Sequence, residues 1–257
     1  MLLTTLIARA LSAQGKRVVL WTETPDVIQS RYVAEVRGWP PNTNGQRVIN
    51  LDDVYERSPN EHIVSAYARA AGVRVVDFRA DFEVRTLDAQ TAARIVRPHS
   101  YVALDLSVTW PSRTWGDPET GRLVRMLRTR GLQVVGLGHH PRTVPELIRV
   151  ARQSLGVVAA LIKNARAFVG PDSLLAHVAQ AVGTPAVVLF GSTESRFRVA
   201  PQAKVSAIRR TDLECLGCHH RGPAPRHFTE CSLEPGRKNA CMNIPAEVVF
   251  NAVARYL

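Results

Sequence analysis

The sequence predicts an α/β protein built from two doubly wound units, and three patterns carry that prediction. Short apolar runs that suit buried parallel strands alternate with amphipathic helical stretches along most of the chain. Residues 168–193, FVGPDSLLAHVAQAVGTPAVVLFGST, read as strand, tight turn, helix, turn, strand and glycine loop. Around 77–98 the pattern weakens into short mixed segments before restarting at Tyr101, which divides the chain into units 1–97 and 98–257.

The first unit opens on a helix over 2–13, with Leu2, Leu3, Leu6, Ile7 and Leu11 at helical spacing and Gln14-Gly15 as its stop. Arg9 lies inside that run, and there is no basic leader or cleavage site, so it reads as a core helix and not as a secretion signal. Residues 17–22 (RVVLWT) suit a buried strand, 26–30 a short helix, Asn42-Thr43-Asn44-Gly45 a turn, and 47–51 a second strand. Asp52, Asp53 and Asn60 mark helix starts, and 62–71 forms the firmer helix through Ile63, Ala66, Tyr67 and Ala70. A doubly wound unit normally opens on a strand, so this one reads as short or truncated at its beginning.

The second unit starts with a strand at 101–107. A helix over 118–131 turns Leu123, Met126 and Leu127 inward and Arg122, Arg125, Arg128 and Arg130 outward. The strand 132–138 ends in Gly136 and Gly138, a spacing that suits close approach by a nucleotide, and His139 and His140 follow in a loop. Helices are expected over 144–152 and 155–165. Asp172 and Ser173 then cap a helix whose inner face holds Leu175, Val178 and Ala179, and Gly183-Thr184-Pro185 ends it. Residues 186–190 form a buried strand that runs into Gly191-Ser192-Thr193, and 245–257 is a terminal helix with Val248, Val249, Val253 and Leu257 along one side.

Two adjacent strand ends, one feeding a helix N-terminus and one a glycine turn, make a crevice for phosphate or a sugar nucleotide. The charge agrees: 33 Lys and Arg against 22 Asp and Glu give a formal +11. Such a field favours nucleotide diphosphates, a phosphorylated glycolipid or an anionic membrane face. No aromatic-basic module of a nucleic-acid reader is present, so a cysteine-ligated metal protein that binds nucleic acid has only the net charge and the cysteine cluster behind it. No apolar run approaches membrane-span length, and the chain reads as cytoplasmic, with peripheral binding at an inner membrane face open to it.

All four cysteines fall in one late segment, Cys215-x2-Cys218-x12-Cys231-x9-Cys241. That clustering favours a tetrahedral thiolate site over two disulfides. Zinc and iron both suit four sulfurs, and His219, His220 and His227 are spare ligands. Four thiolates leave no open position, so the ion is expected to be structural.

The run D-S-x-x-x-H-x-A-x-A-x-G-T-P-x-x-x-L-F-G-x-T, from Asp172 through His177, Gly183, Pro185 and Gly191 to Thr193, resembles the donor-site signature of the glycosyltransferase family 9 heptosyltransferases. Leu174 stands where that family usually has Gly. Trp110-x-Ser112-Arg113-x-Trp115 is similar to the family's W-x-S-K-x-W loop, with Arg113 in place of the Lys that faces the donor phosphates. The resemblance implies a GT-B architecture and transfer of a sugar, heptose from ADP-heptose foremost, to a lipopolysaccharide core or a protein. It implies a donor site of Thr109, Ser112, Arg113, Gly138, Asp172, Ser173, His177, Gly191 and Thr193, with no catalytic metal. The family's catalytic Asp lies in a Gly-Asp loop before a helix that begins like Leu2-Leu3-Thr4-Thr5, and this sequence starts after that loop. The base is therefore unassigned, and a non-catalytic sugar-nucleotide-binding or assembly subunit stays open beside the enzyme. The cysteine segment resembles the iron finger of autotransporter heptosyltransferases, and by that likeness it is the candidate contact in a homo-oligomer.

Overall fold

A computed structural model describes residues 1–38, 40, 45–107, 111–138, 144–150, 152–220, 231 and 239–257. The first unit contains α1 (Thr4–Ser12), β1 (Val19–Trp21), β2 (Glu35–Arg37), α2 (Ile63–Ala71) and α3 (Thr86–Ile95). β1 and β2 pair in parallel, Val19 opposite Glu35 and Trp21 opposite Arg37. The strand expected at 47–51 is not formed; the second strand is β2. Its Glu35 and Arg37 pair with each other at 2.6 Å around the single apolar Val36, so it carries no apolar run to read. Ile49 and Leu51 instead lay their side chains on the core from irregular backbone. The helix start expected near Asp26 is one 3-10 turn, Pro25–Val27, and 52–60 is turns, with no helix begun at Asp52, Asp53 or Asn60.

α2 matches expectation and adds a detail. His62 is its N-cap: the Val64 amide donates to His62 Nδ1 at 3.2 Å, so the ring proton sits on Nε2 and donates to Val199 O at 3.1 Å. α3 was hidden within the mixed segment 77–98. Its sequence buries only Ala92 among its ten residues, and the helix is held by packing on α5.

The second unit is a six-stranded sheet. It comprises β3 (Tyr101–Asp105), β4 (Gln133–Leu137), β5 (Ile148–Arg149), β6 (Ala167–Pro171), β7 (Ala186–Phe190) and β8 (Val205–Arg209). The helices are α4 (Asp117–Thr129), α5 (Leu155–Lys163), α6 (Leu174–Val182) and α7 (Ala246–Ala254). The strand order is β5-β4-β3-β6-β7-β8, all parallel. This is the doubly wound order in which the winding reverses between β3 and β6. A helix was expected over 144–152; the chain there makes a turn and then β5, whose two residues pair with Val135 and Gly136. An edge strand of two residues is too short to show a period.

Alternation along the strands builds two cores. Tyr101, Ala103, Phe168, Val188 and Phe190 face α5 and α6 and join the helices of the first unit. Val102, Leu104, Val169, Val187 and Leu189 face the other way, against α4 and α7. α7 packs on α4 and β7 and so stays with the second unit.

Candidate functional site

The winding reversal brings the carboxyl ends of β3 and β6 together, and two carboxylates face that point. Asp105, the last residue of β3, accepts from Ser107 N at 2.8 Å and Ser107 Oγ at 2.6 Å through one oxygen. Its other oxygen accepts from Ser173 Oγ at 2.7 Å. Burial raises its carboxyl above the usual range, against those three bonds. Ser173 also caps α6 by accepting from Ala176 N, so one hydroxyl ties the β3 end to the α6 N-terminus. Asp172, expected as a second capping residue, is not the cap.

Asp172 instead gathers the site. Its Oδ2 accepts from Thr193 Oγ1 at 2.8 Å and lies 3.6 Å from Arg113 Nη2 and 3.7 Å from Arg198 Nε. His177 Nε2 is 3.9 Å from Oδ1. Burial pushes this carboxyl up, and Arg113, Arg198, His177 and Thr193 more than reverse that, leaving it below the ordinary carboxylate range. Burial lowers Arg113 from its usual value, partly offset by Asp172. Burial also pushes His177 down to about 4, so at neutral pH its imidazole is uncharged. The assembly is one buried and one half-buried cation around one carboxylate beside a helix N-terminus, a preorganised setting for anionic oxygens.

The predicted donor residues divide by position. Arg113, Asp172, Ser173, His177 and Thr193 converge within one neighbourhood. Ser112 is buried beside them, accepting from Ser192 Oγ at 3.3 Å. Gly191 adjoins it for a packing reason: a Cβ there would lie 2.7 Å from Cys241 Sγ and 3.0 Å from Ser112 O. Gly138 has φ +90° and packs against Ser107, 2.9 Å from where its Cβ would stand, so the residue lets β4 end close behind the β3 loop. Thr109, with His139 and His140, lies outside the described residues. Small cleft walls between β3 and β6 come from Asp105, Ser107, Arg113, Trp115, Gly170 and Pro171.

Sequence reasoning missed Asp105, whose one signal was a lone carboxylate inside an otherwise apolar strand. Arg198, which lies outside the donor motif, is 6% exposed. Its guanidinium lies 4.6 Å from the Tyr55 ring, and its Nη2 is 3.4 Å from His219 Nε2. The first unit thereby closes one side of the site.

All four cysteines are free thiols, and Cys241 is near enough to the other three to feel their charges. Burial first, then the charges of Cys218, Cys231 and Cys215, pushes Cys241 up to about 11. Cys218 is raised by burial and by Cys215 and Cys231. By ligand type four sulfurs suit a soft, thiophilic ion, while among the described residues no three His, Cys, Asp or Glu side chains are assembled to hold one.

Comparison with known proteins now bears on this geometry. The family model described as glycosyltransferase family 9 (heptosyltransferase) matches residues 38–227. Lipopolysaccharide heptosyltransferase 3 of Escherichia coli is 27% identical over 112 residues, 38% of this chain and 33% of that protein. The match thus spans about a third of the curated relative's length. The crystal structure of a family 9 glycosyl transferase from Veillonella parvula superposes with a TM-score of 0.73 at 15% identity, covering 99% of this chain and 92% of that one. TibC of enterotoxigenic E. coli, a dodecameric iron-containing heptosyltransferase solved with ADP-D-beta-D-heptose, gives 0.75 at 16% identity over 99% and 72%. The shared fold is the GT-B type.

Proposed function

Because the chain belongs to glycosyltransferase family 9, the heptosyltransferases, we propose that it transfers a sugar, heptose from ADP-heptose foremost, to a lipopolysaccharide core or a protein acceptor. The observation that carries this reading is the pair of guanidiniums, Arg113 half-buried and Arg198 buried, held within 4 Å of Asp172 at the switch point of the sheet. Transfer breaks the bond between the sugar's anomeric carbon and the nucleotide oxygen, and the departing diphosphate gains charge. Arg113, Arg198 and the α6 N-terminus neutralise it. Asp172 keeps both cations in place, and neutral His177 with Thr193 shapes the pocket wall. The acceptor hydroxyl gives its proton to a base that stands unassigned.

Calorimetric titration with ADP-heptose, against UDP- and GDP-sugars, tests the donor site. Selective binding of the adenine nucleotide sugar is expected, and no binding by the folded protein to any of them rejects the reading. Turnover with donor and acceptor then separates a transferase from a binding subunit. Arg113→Ala should weaken donor affinity by tenfold or more, taking about 1.5–3 kcal/mol for a charged hydrogen bond; unchanged affinity would remove Arg113 from the phosphate site.

We propose further that Cys215, Cys218, Cys231 and Cys241 hold a structural zinc or iron, supported by the shared locality of the thiols and by iron in a protein of the same fold. Such an ion would fix the segment that backs Gly191. Elemental analysis of wild type and Cys241→Ser checks this, with loss of the ion expected in the variant. We propose a cytoplasmic location, the reducing compartment in which a cluster of four cysteines reads as a thiolate site. Peripheral membrane contact has a candidate location in a hollow of about 590 Å³ at the amino-terminal edge of the sheet, lined by Arg97, Arg130 and Arg166.

A further inference from the structure

We infer that His219 is a positioning residue of the donor crevice, holding the Arg198 guanidinium beside Asp172, so that the cysteine-bearing segment supplies part of the donor-site wall. The inference rests on the donor-site reading above and goes beyond it by giving a role to a residue outside the donor motif.

Arg198 is the group that needs holding. It comes from the loop after β7, is 6% exposed, and its contact with Asp172 is an ion pair of 3.7 Å, longer than a hydrogen bond. Its Nε is buried and has no hydrogen-bond partner. A buried donor without an acceptor is costly, and a phosphate oxygen entering beside Asp172 would satisfy it. Such a side chain keeps its aim only if its other atoms are fixed. Tyr55 covers it at 4.6 Å, and His219 Nε2 meets Nη2 at 3.4 Å. A guanidinium has donors only, so His219 Nε2 is the acceptor and its ring proton sits on Nδ1.

His219 is itself anchored to the donor loop. Its amide donates to Ser192 O at 2.9 Å, and the Gly217 amide donates to Gly191 O at 3.2 Å, so the segment follows residues 191–193 as an added edge. The neighbouring His220 grips the same loop from the other side. Its ring packs on Phe197 at 5.0 Å, and its Nδ1 donates to Pro59 O at 2.7 Å. Phe197 and Arg198 are thus clasped by consecutive histidines that follow Cys218 directly. A histidine placed only to fill space would not need its acceptor nitrogen turned to a buried cation.

The test compares wild type with His219→Leu, which keeps bulk without an acceptor, and His219→Gln, whose amide oxygen can accept from Arg198. ADP-heptose and ADP are titrated by calorimetry. The Leu variant should bind both about tenfold more weakly, the equivalent of one charge-assisted hydrogen bond, and Gln should return affinity to within about threefold. A second arm needs no ligand: nitrogen-15 NMR reads rotation of the Arg198 guanidinium, expected slow in wild type and Gln and fast in Leu. Wild-type affinity in the Leu variant, or equal guanidinium rotation in all three, overturns the inference. Absence of binding by wild type overturns the donor reading alone, since the NMR arm still reports whether His219 holds Arg198. Circular dichroism checks folding, and should Leu fail to fold, slow rotation with full affinity in Gln supports the clasp while fast rotation there rejects it.

Discussion

Asp172 is a carboxylate shared by Arg113, Arg198, His177 and Thr193, and its removal is felt first as stability. Asp172→Ala takes the carboxylate away from the buried Arg198 and the half-buried Arg113, which should cost about 3–5 kcal/mol in urea denaturation. A loss below 1 kcal/mol would mean that water already screens those cations. His177 gives a pH signature. In the unfolded chain it takes up a proton near pH ~6.5, whereas in the fold it holds out to about 4. The folded state is therefore fully stable above the upper value and loses stability as pH falls toward the lower one, by at most about 1.4 kcal/mol per pH unit. His177→Gln should flatten that part of the curve, measured as thermal midpoint against pH. Asp172, His177 and Thr193 were legible because they share one local motif. Asp105, Arg198 and His219 were not, because what joins them to the site is contact across the fold: Ser173 lies 68 residues from Asp105.

At the scale of elements, the α6 N-terminus depends on a single hydroxyl that caps the helix and serves Asp105. Ser173→Ala should cost about 1–2 kcal/mol from the cap, visible in the same denaturation experiment, and it leaves one oxygen of Asp105 without that donor. Gly191→Ala would press a methyl onto Cys241 and the Ser112 carbonyl and should loosen the cysteine segment; faster alkylation of its thiols is the measurement. The long, periodic elements of the second unit could be read directly, β3, α4, β4, α5, α6 and β7 among them. β2, α3 and β5 could not. Each carries one buried apolar residue or is too short to repeat, and a partner elsewhere in the chain decides its conformation. The edge strand β8, half-buried apart from the exposed Ala207, also went unread.

Across the whole molecule one apolar core runs from Leu2 to Phe190, through both units. Polar ties reinforce it: His62 to Val199, His220 to Pro59, and Gln202 to Val76 and Phe78. The two units should therefore melt as one, with equal calorimetric and van't Hoff enthalpies; two resolved transitions would show the core to be divisible. The sequence suggested two units and gave no sign of this shared core, since α3 shows no periodic signal. That same packing of α3 on α5 has a consequence in time. A chain made from its amino end finishes α3 some 60 residues before α5 begins, a wait of roughly 3–12 s at about 5–20 residues per second. During that interval α3 has no α5 to pack on, and the apolar faces that α1 and α2 will give to the shared core stay partly uncovered until the later strands arrive.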